Sequence, residues 1–113
     1  MRETEYELVV VITNQGYSDV VIEAAREKGA GGGTVIHAKG DGTDSAEKFL
    51  GIPVAEEKEL IFIATKNENK NEIMQAIREK AGMESKAKSQ VFALPVTNMV
   101  GLNMTKANKP ENE

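Results

Sequence analysis

Few residues in this chain have the type and spacing to do chemistry. The run Gly29-Ala30-Gly31-Gly32-Gly33 could bring backbone N–H groups up to a phosphate. Phosphate-binding glycine fingerprints lead from a strand into a helix, whereas this run leads out of a predicted helix into a predicted strand. No helix N-terminus would point at the ligand, so dinucleotide-binding and Walker-type assignments fail, and a helix C-cap with a tight turn is the better reading. Gly40-Asp41-Gly42 reads as a turn at the mouth of a long loop, with ligand contact as the lesser alternative. Lys86 and Lys88, in Glu84-Ser85-Lys86-Ala87-Lys88-Ser89, form a basic loop patch that could grip a phosphate or simply stay solvated. His37 is the single histidine, and without cysteine partners it is a weak metal ligand or general base. Asp41, Asp44, Glu56 and Glu57 could offer oxygens to a hard cation, but they form no calcium-loop pattern, and solvated loop acids fit better. Ser18, Ser45, Ser85 and Ser89 lack the surroundings of a serine nucleophile. No catalytic constellation emerges, and a non-enzymatic role is expected.

These residues are spaced along six predicted elements. Tyr6 to Asn14 (YELVVVITN) is a β-branched run whose alternating sets, Leu8/Val10/Ile12 and Val9/Val11/Thr13, are both mostly apolar. Ser18 to Lys28 places Val20, Val21, Ala24 and Ala25 at helical spacing, with Ser18 as N-cap and Gly29 just beyond the last turn. Thr34 to Lys39 resumes a strand, with His37 on the Val35/His37/Lys39 side. Residues 43–57 show no clean period and read as a loop with some local packing. Lys58 to Thr65 (KELIFIAT) is a strand apolar on both sides. Asn69 then caps a helix, Glu72 sits at its capping-box position, and Gly82 stops it after Ala81. Gln90 to Val96 (QVFALPV) is the last strand, with Pro95 suited to an edge.

The order strand, helix, strand, strand, helix, strand predicts an α+β, ferredoxin-like split-βαβ fold, a four-stranded antiparallel sheet with two helices on one face. Residues 1–102 form this domain, and 103–113, made largely of Lys, Asn, Pro and Glu, are expected to be a disordered tail. Two helices cover only one side of such a sheet, yet the strands carry apolar side chains on both. An exposed apolar sheet face is an association site, so a homo-oligomer is expected.

Composition narrows the rest. At 113 residues the chain fits one domain, and zero cysteines exclude disulfides, thiolate metal sites and cysteine nucleophiles. A net charge of -4 argues against nucleic acid as a partner. No apolar run reaches signal or transmembrane length, which places the protein in the cytoplasm with no direct membrane insertion.

The stretch Gly31-Gly32-Gly33-Thr34-Val35-Ile36-His37-Ala38-Lys39-Gly40-Asp41-Gly42, together with Val91-Phe92-Ala93-Leu94-Pro95-Val96, resembles the PII nitrogen-regulatory signalling family, from about Tyr6 to Leu102. The T-V-x-x-x-K-G-x-G pattern within it is the specific part. The resemblance implies a ferredoxin-like homotrimer with its sheets facing the three-fold axis, adenine-nucleotide sensing in clefts between subunits, and regulation of a protein partner through the long loop. Thr34 then matches the family's adenine-contacting threonine, and Gly40 and Gly42 the glycines at the loop's base. The remaining ligand-binding candidates are Lys86 and Lys88. They stand in a phosphate loop where Ala87 and Ser89 occupy glycine positions and Gln90 replaces a lysine. Gly101 and Asn103 lie near two usual arginines. Every missing side chain neutralised phosphate charge, so AMP or ADP is a better effector than ATP. The loop, here 43–57, is short and lacks the tyrosine modified in other members; Tyr6 and Tyr17 lie elsewhere. Thr43 and Asp44 follow Gly42 where a glutamine is expected, which weighs against magnesium-dependent 2-oxoglutarate binding.

The leading expectation is a signalling protein in nitrogen metabolism that needs no cofactor. It would sense a small effector and regulate an unidentified membrane transporter or metabolic enzyme. A CutA-like trimer that binds metal or a partner without nucleotide is the alternative. A small ferredoxin-like enzyme is the least supported, because only Arg2, Arg26 and Arg78 are available and two of them lie on predicted helices.

Overall fold

A computed structural model describes residues 4–40, 48, 49, 52, 53 and 55–101 of the chain. The elements in order are β1 (Tyr6–Asn14), α1 (Ser18–Glu27), β2 (Thr34–Gly40), β3 (Lys48–Phe49), β4 (Ile52–Pro53), β5 (Glu56–Lys66), α2 (Asn67–Ala81) and β6 (Gln90–Pro95). The main sheet has the order β2-β5-β1-β6 with every neighbouring pair antiparallel, which is the expected ferredoxin-like split βαβ. A separate two-stranded sheet pairs Lys48 with Pro53 and Phe49 with Ile52. The segment read as a loop therefore holds a short hairpin, and its last two residues, Glu56 and Glu57, belong to β5. Pairing with Gly40 and Lys39 of β2 extends β5 into these acids. Gly42 and the rest of 41–47, and the tail from 102, lie outside the described residues.

One face of the sheet is sealed. Val9, Val11, Ile61 and Ile63 are fully buried beneath Val21, Ala24 and Ala25 of α1 and Ile73, Ala76, Ile77 and Ala81 of α2. Burying each large aliphatic side chain contributes about 1.5–3 kcal/mol. Gly33 shows why the glycine run precedes β2. A Cβ there would sit 3.1 Å from Ile61 Cγ2 and 3.2 Å from Ile63 Cγ1, so the chain enters the sheet where there is no room for a side chain.

The helix ends follow the sequence reading better than the starts. At the end of α1, Gly29 (φ 109°) donates to the Arg26 carbonyl (3.1 Å) and Ala30 to the Ala25 carbonyl (3.1 Å), a Schellman closure that needs a left-handed residue at Gly29. Ser18, expected as N-cap, lies inside the first turn of α1; Tyr17 is the cap and makes no side-chain capping bond. Asn69 likewise lies inside α2, which starts at Asn67 directly after β5. There the Asn67 N–H donates to the Glu5 carbonyl at 2.8 Å, a tertiary bond that stands in for the predicted capping box.

The other face carries Leu8, Val10 and Ile12 of β1, Leu60, Phe62 and Ala64 of β5, Ile36 of β2, and Phe92 and Leu94 of β6. No helix lies over it among the described residues. Ile36, Phe92 and Leu94 are 41, 47 and 50% exposed.

Candidate functional site

The predicted site residues divide into two groups. Thr34 begins β2, is exposed, and pairs with Phe62; Gly40 ends β2 and pairs with Glu56. At roughly 3.3 Å per residue the two stand about 20 Å apart along one strand. The chain at Lys86 and Lys88, by contrast, is tied to the Gly40 end. Asn14, the last residue of β1, donates its backbone N–H to the Ala87 carbonyl (2.9 Å) and its side-chain Nδ2 to the Lys86 carbonyl (2.9 Å). The Asn14 Oδ1 accepts from Lys58 Nζ at 2.7 Å. Lys58 also pairs with Glu56 at 3.1 Å, and its methylenes pack where a Cβ on Gly40 would stand, 3.3 Å from Cγ. A single subunit thus gathers Gly40, Lys86 and Lys88 at one end of the sheet and leaves Thr34 at the far end of β2, level with Phe62 in the middle of β5.

The loop between α2 and β6 is built from its buried residues. Ala87 and Ser89, the two departures from glycine, are 1% and 4% exposed, so their side chains are part of the interior. The Thr13 hydroxyl, itself buried, donates to the Ala87 carbonyl (3.1 Å) and accepts from Ser89 Oγ (2.9 Å). Ser85 Oγ donates to the Gly82 carbonyl (2.7 Å) and accepts from the Ala87 N–H (3.1 Å). Between these anchors Lys88 takes a left-handed φ of 49°, a conformation that costs a non-glycine residue about 1–2 kcal/mol. Lys86 and Lys88 point to solvent, and among the described residues neither has an acidic partner. The loop therefore presents two exposed ammonium groups from a backbone held by the Thr13 and Ser85 hydroxyls, an arrangement suited to holding an anion.

The remaining candidates lie at the same end of the sheet but make their own contacts. His37 Nδ1 lies 3.6 Å from Glu59 Oε2, and Glu59 Oε1 accepts the Gly16 N–H at 3.3 Å. Glu57 pairs with Lys39 at 3.5 Å in solvent. Among the described residues no three His, Asp or Glu side chains converge on a metal position, and Asp41, Asp44 and Ser45 lie outside them. A depression of about 770 Å³ lies between α2 and β6, lined by Met74, Arg78, Met83 and Val91 among others. Neither Thr34, Gly40, Lys86 nor Lys88 lines it.

Residues 6–106 match the family described as Nitrogen regulatory protein P-II. This chain belongs to the P-II family. Among solved structures, the P-II chain is similar to Arabidopsis thaliana PII bound to citrate, with a TM-score of 0.66 at 19% identity, over 88% of this chain and 82% of that one. That likeness is one of fold. No curated protein matches the sequence. Family membership makes this P-II chain a PII-like signalling protein, and among its described residues no helix is long and apolar enough to cross a membrane.

Sequence reasoning singled out the loop lysines and missed the residues that hold their loop in place. By sequence Asn14, Lys58 and Thr13 are only strand residues. The available signal was positional: Asn14 and Lys58 are the polar ends of the otherwise apolar rows Leu8/Val10/Ile12 and Leu60/Phe62/Ala64, and Thr13 is the polar end of Val9/Val11.

Proposed function

We propose that this P-II chain is a non-enzymatic cytoplasmic homotrimer that takes an adenine nucleotide in clefts between subunits. Occupancy would be reported to a protein partner, a transporter or metabolic enzyme of nitrogen metabolism, through residues 43–57. The observation that carries the reading is the separation of Thr34 from Gly40, Lys86 and Lys88. With Thr34 and Gly40 about 20 Å apart along β2, one nucleotide would reach both groups where the Thr34 side of one subunit meets the loop end of the next. The open apolar face supports the same arrangement, because a second and third copy would cover Ile36, Phe92 and Leu94. In that cleft Thr34 offers a hydroxyl to the base, Gly40 and Gly42 let the backbone approach, and Lys86 and Lys88 neutralise phosphate.

Two lysines compensate fewer charges than a triphosphate carries, so AMP and ADP are the expected ligands and ATP binds no tighter than ADP. The test is calorimetry with AMP, ADP and ATP beside light scattering on the same sample. A trimer that binds ADP at micromolar to millimolar concentration supports the reading. A stable monomer, or a trimer giving no heat with any adenine nucleotide, overturns it. A thermal shift with divalent ions alone would instead favour the CutA-like reading.

A further inference from the structure

We propose that Asn14 is a coupling residue that ties the position of the 82–89 loop to the root of the segment leaving the sheet at Gly40 and returning at Glu56. Its amide is used at both ends at once. Oδ1 accepts from Lys58 Nζ (2.7 Å) and Nδ2 donates to the Lys86 carbonyl (2.9 Å), while its backbone N–H holds the Ala87 carbonyl (2.9 Å). The next residue continues the connection, with the Gln15 N–H donating to the Glu57 carbonyl at 3.3 Å.

Lys58 is the other half of the device. It contacts both stems, through Glu56 where the chain returns (3.1 Å) and through its methylenes against Gly40 where it leaves. Its side chain is 20% exposed. An ammonium that leaves Asn14 for a new anion would remove the charge that orients the amide. Because the amide is planar, the bond to the Lys86 carbonyl would turn with it. The 82–89 loop and the root at Gly40 and Glu56 are thus linked through one rotatable side chain that is acceptor and donor at once: aspartate would accept from Lys58 but repel the Lys86 carbonyl, and alanine would do neither. The nucleotide reading gives this linkage its use, since a ligand on Lys86 and Lys88 would thereby bias the root of the partner-facing loop.

The test is hydrogen exchange on the full-length protein without ligand, because Lys58 makes no hydrogen bond or ion pair to the 82–89 loop. Lys58→Met is expected to speed exchange of the Ala87 and Ser89 amides about fivefold, with core amides such as Ile63 unchanged. In an Asn14→Ala background those amides are already fast, and adding Lys58→Met changes them by less than about twofold. Asn14→Asp, which keeps the acceptor and loses the donor, is expected to loosen Ala87 and Ser89 while leaving 56–58 protected. If Lys58→Met leaves Ala87 and Ser89 at wild-type rates, or if the two substitutions act additively, there is no coupling and the proposal falls. These readouts need no nucleotide, so absent heat in the calorimetry would overturn the functional reading alone.

Discussion

The two faces of one sheet, built from the same residue types, end in opposite conditions. On β1, Val9 and Val11 are completely buried while Leu8, Val10 and Ile12, which alternate with them, are only half-buried. On β5, Ile61 and Ile63 are sealed and Phe62 is not. Apolar composition therefore does not by itself define a core here; cover does, and among the described residues the helices cover one face only. The comparison predicts that substitutions on the two faces fail in different ways, one through folding and the other through association.

The largest effect is expected on the open face. Phe92→Asp would place a carboxylate from each subunit in the proposed interface, where an uncompensated charge costs about 3–5 kcal/mol per subunit. Sedimentation should show a single-subunit mass, and the melting temperature should lose its dependence on protein concentration. A variant that keeps wild-type mass would break the comparison, because Phe92 would then not be covered by another copy. On the sealed face, Ile63→Ala should cost about 2–5 kcal/mol in chemical denaturation, at unchanged subunit count, through the cavity it leaves. If it instead dissociated the assembly without destabilising the subunit, the two faces would not be independent.

Much of this contrast is legible in the sequence, because it depends on alternation. Leu8/Val10/Ile12 against Val9/Val11/Thr13 shows two apolar rows in the sequence itself, and the element order leaves two helices to cover them. Gly29 and Gly82 were readable as helix ends, though for different reasons: Gly29 needs a positive φ, while at Gly82 a Cβ would lie 2.5 Å from the Arg78 carbonyl oxygen. Local reasoning failed where a partner distant in the chain decides the outcome. Asn67 starts α2 because Glu5 receives its N–H, and β5 begins at Glu56 because β2 pairs with it. The site follows the same division. Thr34, Gly40, Lys86 and Lys88 could be picked out by type and resemblance, but Asn14 opposite Lys58 requires the β1–β5 register. By type Ala87 and Ser89 are losses from a phosphate loop, whereas their burial shows them packed inward.

Polar atoms on the sealed face sharpen the comparison further. Thr13→Val keeps the shape of the side chain but removes the hydroxyl bonded to both the Ala87 carbonyl and Ser89 Oγ. Ala87 retains the bond from the Asn14 N–H, so the main loss falls on the buried Ser89 hydroxyl, and about 1–3 kcal/mol of stability should disappear in urea denaturation. The double variant with Ser89→Ala should recover part of that loss, since it removes the stranded partner.

Thr65 is the counterexample on the same face. It is 1% exposed, and its Oγ1 has no hydrogen-bond partner among the described residues. A buried hydroxyl without a partner carries its desolvation penalty without return, so an apolar group of the same shape should be better tolerated there than at Thr13. Thr65→Val is accordingly expected to stabilise the protein by about 1 kcal/mol or less, at unchanged subunit count, raising the urea midpoint where Thr13→Val lowers it. Opposite signs from the same substitution at two buried threonines would show that hydrogen bonding, rather than depth, sets the value of a polar group under the helices. A loss at Thr65 as large as that at Thr13 would mean that Oγ1 has a partner in solution, and the seal over this face would then be wetter than its burial implies.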